Sequence, residues 1–277
     1  MKTGKMSITI LLSLLALVGA QLLAQSIASV TLVLGVPEFI CNILAGILYI
    51  VMAHHLVKLI CRKYLRVDMS ELNIPRAKIS LEWLVVAIAL PVFVSVCYLL
   101  MDGAIQVNNA ELGTKLSLVT AGIFFTGFGA GIVEEIVFRG IIMYAVEKRF
   151  NRKAAIIAPS VLFGVVHIIG MEFELLSCIL VVFAGTMVGI MFSLIACTTK
   201  SVWNSAIVHA FWNMIIIGGI LNIGTEFDSY SLYSYVLQTD SFALTGGEFG
   251  IEASVIAVIG YCLVSALAVV LCRKKPK

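Results

Sequence analysis

The sequence predicts an all-α, polytopic transmembrane helical bundle of about eight spans with both termini cytoplasmic. Three observations carry that reading. The 277 residues are 61% hydrophobic and only 13% charged, against roughly 25% charged in soluble domains, and the mean hydropathy is +1.06. The apolar residues come in long blocks rather than in alternation, so helices, which pair their own backbone groups, are the expected spanning element. Basic residues fall almost entirely in every second loop, the asymmetry that orients a membrane protein.

Taken in order, the apolar segments lie near 6–34, 38–60, 82–101, 116–147, 154–170, 173–197, 202–221 and 251–272. The first and fourth are too long for simple spans and are expected to tilt or protrude. The first resembles a signal peptide, with Lys2 and Lys5 ahead of it and Ala20 as a cleavage residue. Its apolar character runs on to Val36, however, longer than the 7–15 residues of such a leader, which favours a retained span. Of the 19 basic residues, 17 lie at the N-terminus, in the loops after the second, fourth and sixth segments, and at the C-terminus. Only Lys115 falls on the other side, and Arg139 lies within a helix. Glu38, Asp102, Glu111, Glu172, Glu174, Glu226, Asp228, Asp240 and Glu248 mark that opposite, external side.

Two connections are long. Residues 61–81 are basic and partly amphipathic through Leu65, Val67, Met69, Leu72 and Ile74, and are expected along the cytoplasmic interface. Residues 222–250 form an external loop rich in Tyr, Ser and Gly that could cap a cavity. No internal repeat is visible. The chain divides into three N-terminal spans with their interfacial loop (1–110), a core (111–225), and an external loop with the last span (226–277). No basic patch interleaves with aromatics, which leaves nucleic-acid binding unsupported. The seven cysteines are scattered without a C-x-x-C pair, and most sit in apolar blocks as small hydrophobes.

Against this background the ionisable residues inside the spans stand out, because each costs about 2.5–3.5 kcal/mol to insert. Glu134, Glu135 and Arg139 interrupt the fourth segment, His167 lies in the fifth, and His209 and Asn213 lie in the seventh. At a rise of about 1.5 Å per residue, Glu134 and His167 sit roughly 20 Å, and His209 and Asn213 roughly 10–17 Å, from the cytoplasmic ends of their helices. Three helices can therefore deliver their polar residues to one buried cluster. Glu135 and Arg139, at i and i+4, share a face and can pair. Glu134 is rotated about 100° away and is free to face another neighbour, while Phe163 shares a face with His167 and is expected to pack beneath it.

One carboxylate, two imidazoles and an amide suit the activation of a water. A glutamate in an apolar site becomes a better base near neutrality, and an amide can orient the water or stabilise an oxyanion. Glu134, His167 and His209 would also supply three ligands to Zn²⁺ with a position open for water; the residues alone do not decide between the two. The competing readings are a polar plug that ties three helices together and a small transporter's solute pathway. No H-E-x-x-H or G-x-S-x-G is present, which leaves the commonest zinc-protease and serine-hydrolase signatures out. His54 and His55, beside Lys58, read as interfacial. Gly127-x-x-x-Gly131 and Gly185-x-x-x-Gly189 read as close helix contacts, and Trp83 and Trp203 as interface anchors.

The ordered set Glu134-Glu135-x-x-x-Arg139, Phe163-x-x-x-His167 and His209-x-x-x-Asn213 resembles the CPBP family, the CAAX proteases and bacteriocin-processing enzymes also called Abi, over about residues 115–220. That resemblance implies an intramembrane endopeptidase, commonly metal-dependent, acting on a membrane peptide or protein within the bilayer. In the family this is C-terminal CAAX processing in eukaryotes, and bacteriocin maturation or immunity in prokaryotes. The short loops and the lack of an organelle signal point to a prokaryotic cell membrane. A non-catalytic bacteriocin-immunity or scaffold protein is the alternative of a different class.

Overall fold

The computed structural model describes residues 1–171, 174–239 and 241–274. Glu172, Asp240, Lys275 and Lys277, part of the charge pattern above, lie outside the described residues. Eight principal helices make an all-α bundle: α1 (Thr3–Val33), α2 (Glu38–Leu59), α3 (Leu81–Leu99), α4 (Leu112–Arg149), α5 (Arg152–Val166), α6 (Leu175–Thr199), α7 (Val202–Trp212) and α8 (Val255–Lys274). Six of these helical runs are long and apolar enough to cross a membrane, namely α1, α2 with its continuation to Leu65, α3, α4, α6 and α8. The protein is an integral membrane protein. The other two expected segments are shorter: α5 has 15 residues, and α7 has 11 before a five-residue π segment, Asn213–Ile217.

The outer helices follow from their composition. Along α1 the buried residues are Thr9, Ser13, Ala16, Ala20, Ala24 and Ala28, one small residue every three or four positions, so a single narrow stripe packs closely on α2. Leu11, Leu15, Val18 and Leu22 on the other faces are exposed, the surface a lipid-facing helix presents. The inner contact of α5 with α6 rests on glycine. A Cβ on Gly185 would stand 2.7 Å from the Gly164 Cα, and one on Gly189 2.8 Å from the Ser160 Cβ. The two G-x-x-x-G patterns thus mark close approaches, since Gly131 likewise meets the backbone of Ala210 on α7, 2.7 Å from its nitrogen. Trp83 departs from its expected role. It is 3% exposed within the core of α3, α6, α7 and α8, because it points from the first turn of α3 into the neighbouring helices while Leu81 beside it is exposed.

The chain's basic loops meet at one end. The Met1 amino group donates to the Lys148 carbonyl, Arg149 to the Thr3 hydroxyl, and Arg152 to the Cys197 carbonyl. The 61–81 connection folds inward there rather than lying flat. Leu65, Leu72 and Ile74 are buried against Ile136–Ile142, and the strap is pinned by Val202 N–H to the Asn73 carbonyl, Trp203 Nε1–H to the Pro75 carbonyl and Ser80 N–H to Asn204 Oδ1. Its apolar residues gain more by filling the bundle's end than by skimming a membrane surface.

The opposite end carries a three-stranded sheet that the sequence pattern did not announce: β1 (Gly103–Val107), β2 (Leu221–Gly224) and β3 (Tyr233–Leu237), in the order β1-β3-β2. Strand β1 runs antiparallel to β3, with Gly103 opposite Leu237, and β2 runs parallel to it, with Leu221 opposite Tyr233. The sheet ties the α3–α4 connection to the 220–240 loop across 130 residues of chain, and Tyr235 Oη–H to the Met101 carbonyl reinforces the join.

Candidate active site

Helix α4 sets up the site through its backbone. The carboxylates sit in a five-residue α stretch, Gly131–Glu135, between two π-helical segments, Ala121–Ala130 and Ile136–Ile142. Wide helical turns of this kind are frequent at functional positions. The absence of side chains on Gly127 and Gly131 lets α7 lie directly against this stretch, which brings His209 within reach of both glutamates.

Glu135 and Arg139 form the expected pair, Arg139 Nη1 to Glu135 Oε1 at 2.9 Å, with both side chains fully buried. Arg139 Nη2–H also donates to the Gly189 carbonyl on α6 at 3.1 Å, and the guanidinium lies over the rings of Phe163 (4.5 Å) and Phe192 (5.2 Å). The same Glu135 oxygen stands 3.1 Å from His209 Nδ1. A carboxylate accepts there, so Nδ1 carries the proton and Glu135 orients the imidazole as well as pairing with Arg139. Phe192 stacks on the other side of the His209 ring, 4.5 Å away and 18° from parallel.

Glu134 points elsewhere, as its phase on the helix requires. Its side chain is 20% exposed and its Oε2 is 3.7 Å from His209 Nε2, close enough for an ionic interaction but too long for a hydrogen bond. The Asn213 amide donates to the Thr126 carbonyl at 3.1 Å, which commits one of its two N–H groups and leaves the other available. His167 ends its helix rather than lying within it: α5 stops at Val166, with His167 as its C-cap and Gly170 in the left-handed region at φ 93°. Its Nδ1 donates to the Phe163 carbonyl at 2.6 Å, so the neutral ring presents a lone pair at Nε2. Phe163 packs against His167 at 4.5 Å between ring centres and also reaches His209 at 5.9 Å.

Glu134, His167, His209 and Asn213 line one cavity of about 280 Å³; Glu135 and Arg139 stand behind it. Three helices thus contribute to a single chamber. As a metal site the set does not fit. Among the described residues, no three His, Cys, Asp or Glu side chains come together as an ion would require.

Phe249, Trp212, Tyr261 and Glu252 are among the lining residues that the motifs did not single out. Phe249 lies edge-on to His167 at 5.9 Å, and Trp212 packs against Tyr261 at 5.1 Å. Glu252 shares the same cavity, and burial pushes its carboxyl up to about 8 against a smaller lowering effect of Trp212. It precedes α8 rather than lying within it, since the helix begins at Val255. The visible signal was an acidic residue at the very start of an apolar run.

The chamber set in this helical membrane bundle gathers a carboxylate, two imidazoles and an amide, groups suited to activating a water. Residues 116–215, the segment that carries all seven motif residues, match the Rce1-like family, described as type II CAAX prenyl endopeptidase Rce1-like. The match agrees with the CPBP/CAAX resemblance and supports membrane proteolysis at the level of the family. No curated protein matches the chain.

Proposed function

We propose that the protein is an intramembrane endopeptidase that hydrolyses a peptide bond of a membrane-associated protein or peptide, through a water activated by Glu134. The observation that carries this is the meeting of Glu134, His167, His209 and Asn213, from three helices, in one cavity of about 280 Å³. Glu134 takes a proton from the water as its oxygen attacks the scissile carbonyl carbon. The oxyanion that forms is stabilised by the free N–H of Asn213, with His209 beside it in the same cavity. His167 Nε2 accepts a hydrogen bond that holds the water in line. When the C–N bond breaks, Glu134 returns its proton to the leaving nitrogen, and an acid and an amine remain.

No step passes through a metal, because the donor set is not gathered as one would need it. The cleavage expected from the family is near the C-terminus of a CAAX-type substrate; bacteriocin processing is the prokaryotic counterpart. Glu134→Gln and His167→Ala are expected to abolish cleavage of a prenylated CAAX peptide by protein in lipid vesicles, with melting temperatures unchanged. Full activity in both variants would refute the assignment.

A further inference from the structure

The chamber has a neighbour. Toward the sheet end lies a second cavity of about 230 Å³, bordered by Asn222, Asp228 and Ser231. Three residues line both cavities: Ile217, Phe249 and Glu252. These three side chains form the wall the two cavities share, and only Glu252 among them can form a hydrogen bond through its side chain.

Glu252 is built into this place. Gly246 and Gly250 adopt φ of 77° and 84°, conformations that suit glycine, and turn the chain back on itself ahead of it. A Cβ on Gly246 would collide with the Gly250 carbonyl. Ile251 and Ala253 on either side are buried and anchor the turn. The Glu252 carbonyl accepts from Tyr261 Oη–H at 2.9 Å, and the Glu252 carboxyl lies beside Trp212, the residue before Asn213. The turn therefore holds a carboxyl group one residue away from the amide proposed to stabilise the oxyanion. Trp212 alone would be served by any acceptor. A carboxyl group has a second oxygen, and Glu252 borders both cavities.

We propose that Glu252 is a substrate-positioning residue: its carboxyl group hydrogen-bonds the backbone of the peptide lying between the two cavities and so sets the scissile carbonyl against Glu134 and Asn213. This rests on the protease reading above and adds a residue from outside the matched segment. Glutamine keeps the hydrogen-bonding end and leucine removes it at similar size, so the pair separates positioning from bulk.

The test uses the full chain in lipid vesicles and a quenched, prenylated CAAX peptide. Glu252→Leu is expected to lower kcat/KM about 10- to 100-fold, the scale of one buried hydrogen bond, chiefly through KM. Glu252→Gln is expected to stay within about threefold of the unaltered protein. A role confined to holding Trp212 would lower the melting temperature without moving KM. Unchanged kinetics in Glu252→Leu, or equal impairment in Glu252→Gln, overturns the proposal. If the unaltered protein does not cleave the peptide, the protease reading fails separately. Photo-crosslinking of the same peptide then decides Glu252: labelling lost in the leucine variant and kept in the glutamine variant supports it. Equal labelling of all three proteins, or none, overturns it.

Discussion

Removing the Glu135 side chain is expected to damage the protein more than removing both it and its partner. The Arg139 guanidinium is fully buried and depends on one carboxylate at 2.9 Å and one carbonyl at 3.1 Å. At that separation the attraction is about 6 kcal/mol for an effective dielectric of about 20, but desolvating both groups offsets most of it. Breaking such a pair from one side costs about 3–5 kcal/mol, because an uncompensated charge stays behind. Replacing both partners by apolar residues of similar volume is often neutral. Glu135→Ala is therefore expected to lower the melting temperature by roughly 10 °C, whereas Glu135→Met with Arg139→Met recovers most of the loss. Both proteins are expected to be poor catalysts, because His209 loses the oxygen that orients Nδ1, and a misplacement of about 1 Å can cost on the order of 100-fold. Thermal unfolding in one detergent, followed by tryptophan fluorescence, measures the first effect. A double variant no more stable than the single one would refute the account of Arg139 as a charge held by Glu135.

Other expectations follow from the same geometry. Glu134→Gln is expected to lower kcat by about 10²–10⁴, the range of a general base, while circular dichroism and melting stay unchanged. Asn213→Ala is expected to reduce kcat by about 10²–10³ if its N–H meets the oxyanion, with KM little altered. Gly131→Ala places a Cβ 2.7 Å from the Ala210 nitrogen, and overpacking of this kind costs about 1–3 kcal/mol; a fall in activity and melting temperature together would show that α4 and α7 must touch. Prolonged dialysis against a strong chelator is expected to leave cleavage intact, and restoration of lost activity by added Zn²⁺ would overturn the direct role of Glu134.

Much of the candidate site was readable because its decisive relations are local. Glu135 and Arg139 pair through i, i+4 spacing, Phe163 and His167 meet the same way, and both relations appear in the structure. The glycine patterns were readable for a similar reason, since a missing side chain every fourth residue marks where another helix can approach. His167 was placed within a span because the apolar run continues past it to Ile168, Ile169 and Gly170, and hydropathy does not register where a helix stops. Trp83 was placed at the interface by its position at a span start, yet its burial depends on α6, α7 and α8.

By itself, the sequence determined that the chain lives in a membrane as helices, that its basic loops gather at one end, and that Glu135 and Arg139 pair on one helix face. Composition and short-range periodicity carry that information, because solvation and helical phase act residue by residue. Only the tertiary structure decided that one Glu135 oxygen serves both Arg139 and His209, that the 61–81 strap plugs the basic end, and that a sheet joins β1 to β3. It alone brought Glu252 into the chamber. Those outcomes depend on contacts between segments tens to more than a hundred residues apart, where the gain comes from fitting surfaces together and leaves no period in the chain to read.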